Sequence, residues 1–181
     1  MYILEYGYFK KSATGRRIVM TDKYRAIDIA NYILWYAGEK GHEGLTALKL
    51  QKILYYVVTG YLKKTGEFLF NEKIEKWRYG PVIPSVYHTF KNKKYGLIKK
   101  PISNFIEVEG KFVADPFNPN NIDKDTQTII ENIVDRLIDC TAFELVEKTH
   151  KEPAWRDYKS LILESWDNPT YTKEELLAAT D

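Results

Sequence analysis

The stretch that decides the fold is LKLQKILYY, at residues 48–56. Thr46 is placed to cap a helix that begins here, and Gly66 is placed to end it. Between them apolar residues recur at helical spacing, which predicts an amphipathic helix with one side against a core. The apolar side consists of Leu50, Ile53, Leu54, Val57 and Tyr61, and the polar residues expected to face elsewhere are Lys49, Lys52, Thr59 and Lys63.

A second unusual stretch is WRYGPVIP, at residues 77–84, which overlaps an alternating segment at 74–79 that predicts a short strand. Proline fixes φ and so lowers the entropy lost when a contact surface is ordered. Trp, Tyr and Arg often dominate the energetics of protein interfaces. Trp77 and Tyr87 therefore either belong to a binding surface or fill the core beside the helix of residues 46–64, and both can hold at once.

Two further segments have the pattern of hairpins. Residues 105–113 alternate around Gly110, which predicts two antiparallel strands with a tight turn. Residues 1–22 form an appendage, in which residues 2–4 either pair with residues 16–20 or belong to a mobile arm.

The remaining segments predict helices. Pro84 suits the first turn of a helix that buries Val86 and Phe90. We therefore expect an α+β protein: a predominantly helical single domain over residues 23–181, with a small antiparallel sheet or hairpin and an acidic C-terminal helix. Further N-caps are expected at Asp22, for a helix over residues 23–37 that Gly38 and Gly41 end, and at Asp123, Thr141 and Thr172.

Composition and charge place the chain among soluble globular proteins. Of its 181 residues, 44% are hydrophobic and 29% charged. Residues 1–100 carry 19 Lys and Arg against 8 Asp and Glu, whereas residues 101–181 carry 8 against 17. This asymmetry either steers a charged partner or draws the two halves of the chain together. A single cysteine, the lack of a membrane-length apolar run and the lack of a signal-peptide pattern lead us to expect a cytoplasmic protein.

Few residue patterns point to catalysis or to a cofactor. His42, His88 and His150 lack the spacing of a zinc site, and no glycine-rich nucleotide-binding loop is present. His150 with Glu152 either serves acid–base chemistry or closes its helix while Trp155 packs as an anchor. We expect no metal, no cofactor and no enzymatic activity.

Nucleic acid is the alternative partner, because basic residues can track phosphates and aromatic residues can stack on bases. The chain has no clear helix-turn-helix signature, and a run of charge is usually a solvated face. The candidate residues are Lys91, Lys93, Lys94, Lys99 and Lys100, close to Tyr87, Phe90 and Tyr95.

Three separated motifs carry a family resemblance. They are KLQKILYY at residues 49–56, W-x-Y-G-P-V-x-P-x-V-Y at residues 77–87, and T-H-x-E-x-x-W at residues 149–155. Over roughly residues 24–160 the chain resembles the Panacea, or SocA-like, antitoxin domain, a phage-associated family of bacteria and their phages.

The resemblance implies a small cytoplasmic antitoxin that neutralises a toxin encoded by an adjacent gene through direct protein–protein contact. It implies no catalytic residues, and the alternative is a DNA-binding regulator of phage or mobile-element genes. Arg78 and Lys76 are expected to be exposed neighbours of the signature. The signature and partner-binding candidates are Lys49, Gln51, Tyr55, Tyr56, Trp77, Arg78, Tyr79, Gly80, Pro81, Tyr87, His150 and Trp155.

Overall fold

A computed structural model describes residues 9–11, 17–19, 23–93, 96–108, 110–164 and 168–180. As predicted, the chain is predominantly helical, with small antiparallel two-stranded sheets. The helices are α1 (Ala26–Glu39), α2 (Ala47–Thr65), α3 (Pro84–Phe90), α4 (Lys124–Leu137), α5 (Ala142–Lys151), α6 (Pro153–Arg156), α7 (Lys159–Glu164) and α8 (Lys173–Leu177). The paired strands are β1 (Phe9–Lys11) with β2 (Arg17–Val19), β3 (Leu45–Thr46) with β6 (Leu97–Ile98), β4 (Glu75–Trp77) with β5 (Gly80–Val82), and β7 (Asn104–Val108) with β8 (Lys111–Asp115).

Helix α2 lies at the centre of the fold, where it contacts α1, α3, α4, α5, α8 and β5. Its predicted caps are confirmed: the Thr46 hydroxyl accepts the Lys49 N–H at 3.2 Å, and Gly66 adopts φ +76°. Residues 50–59 are all buried. Because neighbours surround the helix, the prediction that Lys52 and Thr59 face away from the core is wrong.

The backbone that precedes α3 is fixed to α2 by one side chain. The Gln51 amide donates to the Ile83 carbonyl at 3.3 Å and accepts the Ile83 N–H at 2.8 Å, and both residues are buried. Pro84 then begins α3 as predicted, with Val86 and Phe90 buried. Gln51 therefore sets the position of the segment that follows β5.

Helix α1 begins later than predicted, at Ala26, and extends through Gly38 to Glu39. The Ala26 N–H is accepted by the Glu72 carboxylate at 2.8 Å. A distant acidic side chain thus satisfies the start of α1, which sequence spacing alone does not reveal. The predicted cap Asp22 lies outside the described residues.

The other predicted caps and the later hairpin are confirmed. Asp123 and Thr141 cap α4 and α5, and Thr172 caps α8 with a capping box. Strands β7 and β8 pair in register around Gly110. In the N-terminal segment β2 pairs with β1, so residues 9–11, not 2–4, supply its partner strand, and residues 2–4 lie outside the described residues.

Several contacts join the basic half of the chain to the acidic half. The charge asymmetry thus contributes to packing, although exposed ion pairs are each worth only about 0–1 kcal/mol. Long-range ion pairs among the described residues include Lys23–Asp123 at 2.8 Å, Lys40–Asp135 at 3.4 Å and Lys76–Glu175 at 2.8 Å.

The contact between Gln51 and Ile83 gives a direct stability test. Replacing Gln51 by alanine leaves a buried N–H and a buried carbonyl without a partner, so Gln51→Ala should lower the free energy of unfolding by about 2–4 kcal/mol. Urea unfolding followed by circular dichroism measures this loss. Lys64→Ala, at an exposed position of the same helix, should change the free energy by less than about 0.5 kcal/mol. Equal effects of the two substitutions would contradict the role of Gln51.

Candidate functional site

The second and third motifs meet on one side of α2. The Trp155 indole N–H donates to the Trp77 carbonyl at 2.9 Å, which joins α6 to the β4–β5 hairpin. The rings of Trp77 and Tyr87 lie 4.8 Å apart, and both side chains are half-buried. Trp77 and Tyr87 thus pack on each other and still present part of their surface to solvent. Their role in a binding surface stays a prediction.

His150 is held by stacking. Its ring lies flat on Trp155, with 3.5 Å between centroids and 9° between planes. Burial, reinforced by the charges of Lys52 and Lys159, lowers the pKa of His150 to about 4, although a hydrogen bond to the Arg78 backbone opposes the shift. The stacked ring thus joins the last turn of α5 to α6, and its role in closing the helix stays a prediction.

Glu152 lies at the elbow between α5 and α6, with its carboxylate inside the protein. It accepts hydrogen bonds from the Tyr55 hydroxyl at 2.6 Å, the Tyr56 hydroxyl at 3.4 Å and the Thr180 N–H at 3.3 Å. Burial raises the pKa of Glu152, and these hydrogen bonds partly offset the rise. His150 and Glu152 each have separate packing partners, and no described contact pairs them for acid–base work.

Lys52 is the residue that the sequence prediction misplaced most. Its side chain is fully buried, and its ammonium donates to the Pro81 carbonyl at 2.9 Å. Gly80 is at φ +91°, and a Cβ there would lie 2.6 Å from the Thr149 hydroxyl and 3.0 Å from the Lys52 ammonium. Gly80 is thus required by the close approach of β5 to α2, whereas residue 81 contributes its backbone carbonyl.

The exposed residues of the signature lie at the tip of the β4–β5 hairpin. Arg78 is exposed there, and Tyr79 keeps 55% of its surface in solvent. Lys76, predicted to be exposed, is only 1% exposed, because its side chain points inward to Glu175. Lys49 is half-buried and donates to the Ile138 carbonyl. Most of the signature therefore builds the scaffold, and Arg78 and Tyr79 are its solvent-facing part.

The β7–β8 hairpin carries an apolar surface that the sequence prediction did not include among the site residues. Phe105 and Phe112 lie on one face, with 71% and 76% of their surface exposed. Ile106, Val108 and Val113 lie on the other face and are also exposed. An isolated two-stranded hairpin is only marginally stable in water, and exposed apolar patches mark interaction sites. The sequence carried a signal for this surface, because the predicted hairpin of residues 105–113 has apolar residues on both of its faces.

The basic cluster keeps exposed lysines, and of its predicted aromatic partners Tyr87 is half-buried. Lys91, Lys99 and Lys100 are exposed, whereas Phe90 is buried and cannot stack on a base. Lys94 and Tyr95 lie outside the described residues.

The described ranges contain neither a group of side chains arranged as metal ligands nor a membrane-spanning helix. Within them, no group of three or more His, Cys, Asp or Glu side chains is arranged to hold a metal ion. None of the helices in those ranges has both the length and the apolar character needed to span a bilayer.

The buried lysine gives a pH-dependent prediction. Burial lowers the pKa of Lys52 from 10.5 to about 7, so between these values the unfolded chain binds more protons and stability rises with pH. From pH 7 to pH 9 the rise due to Lys52 should be about 2 kcal/mol. Lys52→Met should remove this rise in urea unfolding, whereas Lys64→Met, at an exposed position of α2, should preserve it. Identical pH profiles for the two variants would show that Lys52 is charged and solvated in the fold.

Comparison with models of known protein families gives a match to this chain. A family model described as "Antitoxin SocA-like, Panacea domain" matches residues 50–156. No curated protein and no solved structure matched the chain. The matched range contains most of α2, the β4–β5 hairpin and the elbow with Glu152, which are the parts that hold the scaffold together. The chain belongs to the family of SocA-like antitoxin proteins with a Panacea domain.

Proposed function

We propose that this protein is a cytoplasmic antitoxin that neutralises a toxin encoded by an adjacent gene, by binding it directly and in fixed stoichiometry. Membership of the antitoxin-like family supports a protein partner. The observation that carries the proposal is the β7–β8 hairpin, whose apolar side chains on both faces pack on little of the described chain.

The hairpin has the properties expected of a contact surface. Phe105 and Phe112 are fixed on one face by backbone pairing, so little conformational entropy is lost when a partner covers them. Aromatic side chains of this kind often supply a large part of the binding energy. A stable complex buries about 1,600 Å² in total, so the contact would extend beyond the hairpin.

No turnover is part of this function. Three titratable groups within the motifs are committed to packing: Lys52 to the Pro81 carbonyl, Glu152 to two tyrosine hydroxyls, and His150 to Trp155. This supports a role by binding, with neutralisation through occlusion or distortion of the toxin.

The alternative function is a DNA-binding regulator of phage or mobile-element genes. Exposed Lys91, Lys99 and Lys100 favour it. A DNA-binding regulator would bind unrelated DNA duplexes with an affinity that falls steeply with added salt, because binding to phosphates releases counterions.

The apolar hairpin can be tested with substitutions that leave the core intact. The double variant Phe105→Ser and Phe112→Ser should fold normally, since both side chains are exposed, but it should bind the product of the adjacent gene about 30-fold more weakly. Co-expression with that gene measures rescue of growth, and isothermal titration calorimetry measures the affinity.

Phe143→Ser is the matched control, because Phe143 is 67% exposed on α5, away from the hairpin. This variant should bind and rescue like the unaltered protein. Normal rescue by the double variant would exclude the hairpin as the contact surface. If the adjacent gene product is neither toxic nor bound, the antitoxin proposal itself fails.

A further inference from the structure

The last described segment, residues 168–180, lies across β4 and α2, and we call it the strap. The Lys76 N–H donates to the Pro169 carbonyl at 2.7 Å, and the Tyr171 N–H donates to the Ile74 carbonyl at 2.9 Å. Thr170 is thereby paired with Glu75 in antiparallel fashion, while β5 occupies the other edge of β4. Addition of an extended segment to a sheet edge is a common mode of peptide binding.

Side chains give this edge a specific chemistry. The Lys76 ammonium lies 2.8 and 2.9 Å from the two oxygens of Glu175 and 3.2 Å from the Thr170 carbonyl. It also lies 5.0 Å from the centre of the Tyr171 ring and 3.7 Å from that of Tyr158. Lys76 at this edge therefore contacts an aromatic residue of the strap and, four positions later, a carboxylate.

The seam beneath the strap is imperfectly matched. The Tyr171 hydroxyl is buried and has no hydrogen-bond partner among the described residues. A cleft of about 350 Å³, lined by Glu152, Asp157, Tyr158 and Glu174 among others, remains beside α8. An unsatisfied buried hydroxyl opposes binding, and a buried ion pair adds little net stability. A segment with phenylalanine in place of Tyr171 would keep the ring and lose the unsatisfied group.

We propose that the edge of β4 opposite β5, with Lys76, is a peptide-docking site that the strap of the same chain occupies. Its partner is an extended segment of another protein, with an aromatic residue followed four positions later by Asp or Glu. A tethered strap competes at an effective concentration of about 1 mM, so only a segment that fits better displaces it. The strap lies outside residues 50–156, which the family model matches. The proposal does not depend on the antitoxin function.

The first experiment measures peptide binding to the full-length protein. The probe is a fluorescent synthetic peptide that copies residues 168–180 with Tyr171→Phe. In the protein, Glu175→Gln keeps the capping box but removes the negative charge that pairs with Lys76, which weakens the strap as a competitor. This variant should therefore bind the probe about tenfold more tightly than the unaltered protein. Glu147→Gln, at an exposed position of α5 outside the strap and the cleft, is the matched control and should bind like the unaltered protein. A probe that also carries Glu175→Gln should bind about tenfold more weakly.

A reversible lock distinguishes this edge from other surfaces. Glu75 and Thr170 form a non-hydrogen-bonded antiparallel pair, whose Cα separation of about 4.5 Å suits a disulfide. In a Cys140→Ser background, Glu75→Cys with Thr170→Cys should lose probe binding when oxidised and regain it on reduction. Binding that is indifferent to oxidation, or equal for the Glu147→Gln and Glu175→Gln variants, would overturn the proposal.

Hydrogen exchange provides a measurement that needs no substitution. If the strap opens without unfolding of the domain, the Tyr171 amide should exchange at least about tenfold faster than the amides of residues 53–58 in α2. Equal rates would show that the strap opens only when the whole domain unfolds, which would overturn the proposal. A stable dimer with exchanged straps would also overturn the proposal, because the β4 edge would then bind the strap of a second copy of this chain.

Discussion

The structure depends on the burial of α2 on nearly every side, including positions that carry polar groups. A buried polar group must find a partner, because leaving it unsatisfied costs about 1–3 kcal/mol. Gln51 meets this requirement with the Ile83 backbone, Lys52 with the Pro81 carbonyl, and Tyr55 with Glu152. These partners lie on β5, the segment after it and the α5–α6 elbow. The polar residues of α2 thus determine where the second and third motifs must lie.

This constraint separates the family signature from the surfaces available to a partner. Gly80 suits its place in the signature because β5 approaches α2 closely, and Trp155 suits its place because its indole N–H reaches the Trp77 carbonyl. Such residues specify the scaffold, whereas the exposed side chains of the β7–β8 hairpin can change without disturbing it. A scaffold fixed in this way tolerates changes on its surface, because the residues that hold it together lie inside.

Local rules in the sequence were sufficient for most elements of the fold. Thr46, Asp123 and Thr141 cap their helices because capping depends on a few neighbouring residues, and the β7–β8 hairpin follows from alternation around Gly110. Long-range contacts were not accessible to such rules. Lys52 was placed on the solvent side because helical spacing describes one apolar stripe, and a helix surrounded by neighbours has no solvent side at that position. Lys76 was also misplaced, because the partner that holds its side chain inside, Glu175, is 99 residues away in the sequence.

The two surfaces that extend from this scaffold differ in their physical character. The hairpin exposes apolar side chains that gain free energy from any well-shaped apolar cover, at about 25 cal/mol per Å². The edge of β4 is already covered, so a ligand there gains only the difference between its own contacts and those of the strap. Apolar burial of the first kind favours affinity, whereas exchange of matched hydrogen bonds and charges favours discrimination between partners. The β4 edge is therefore suited to select a particular sequence, and the hairpin is suited to hold a partner once it is bound.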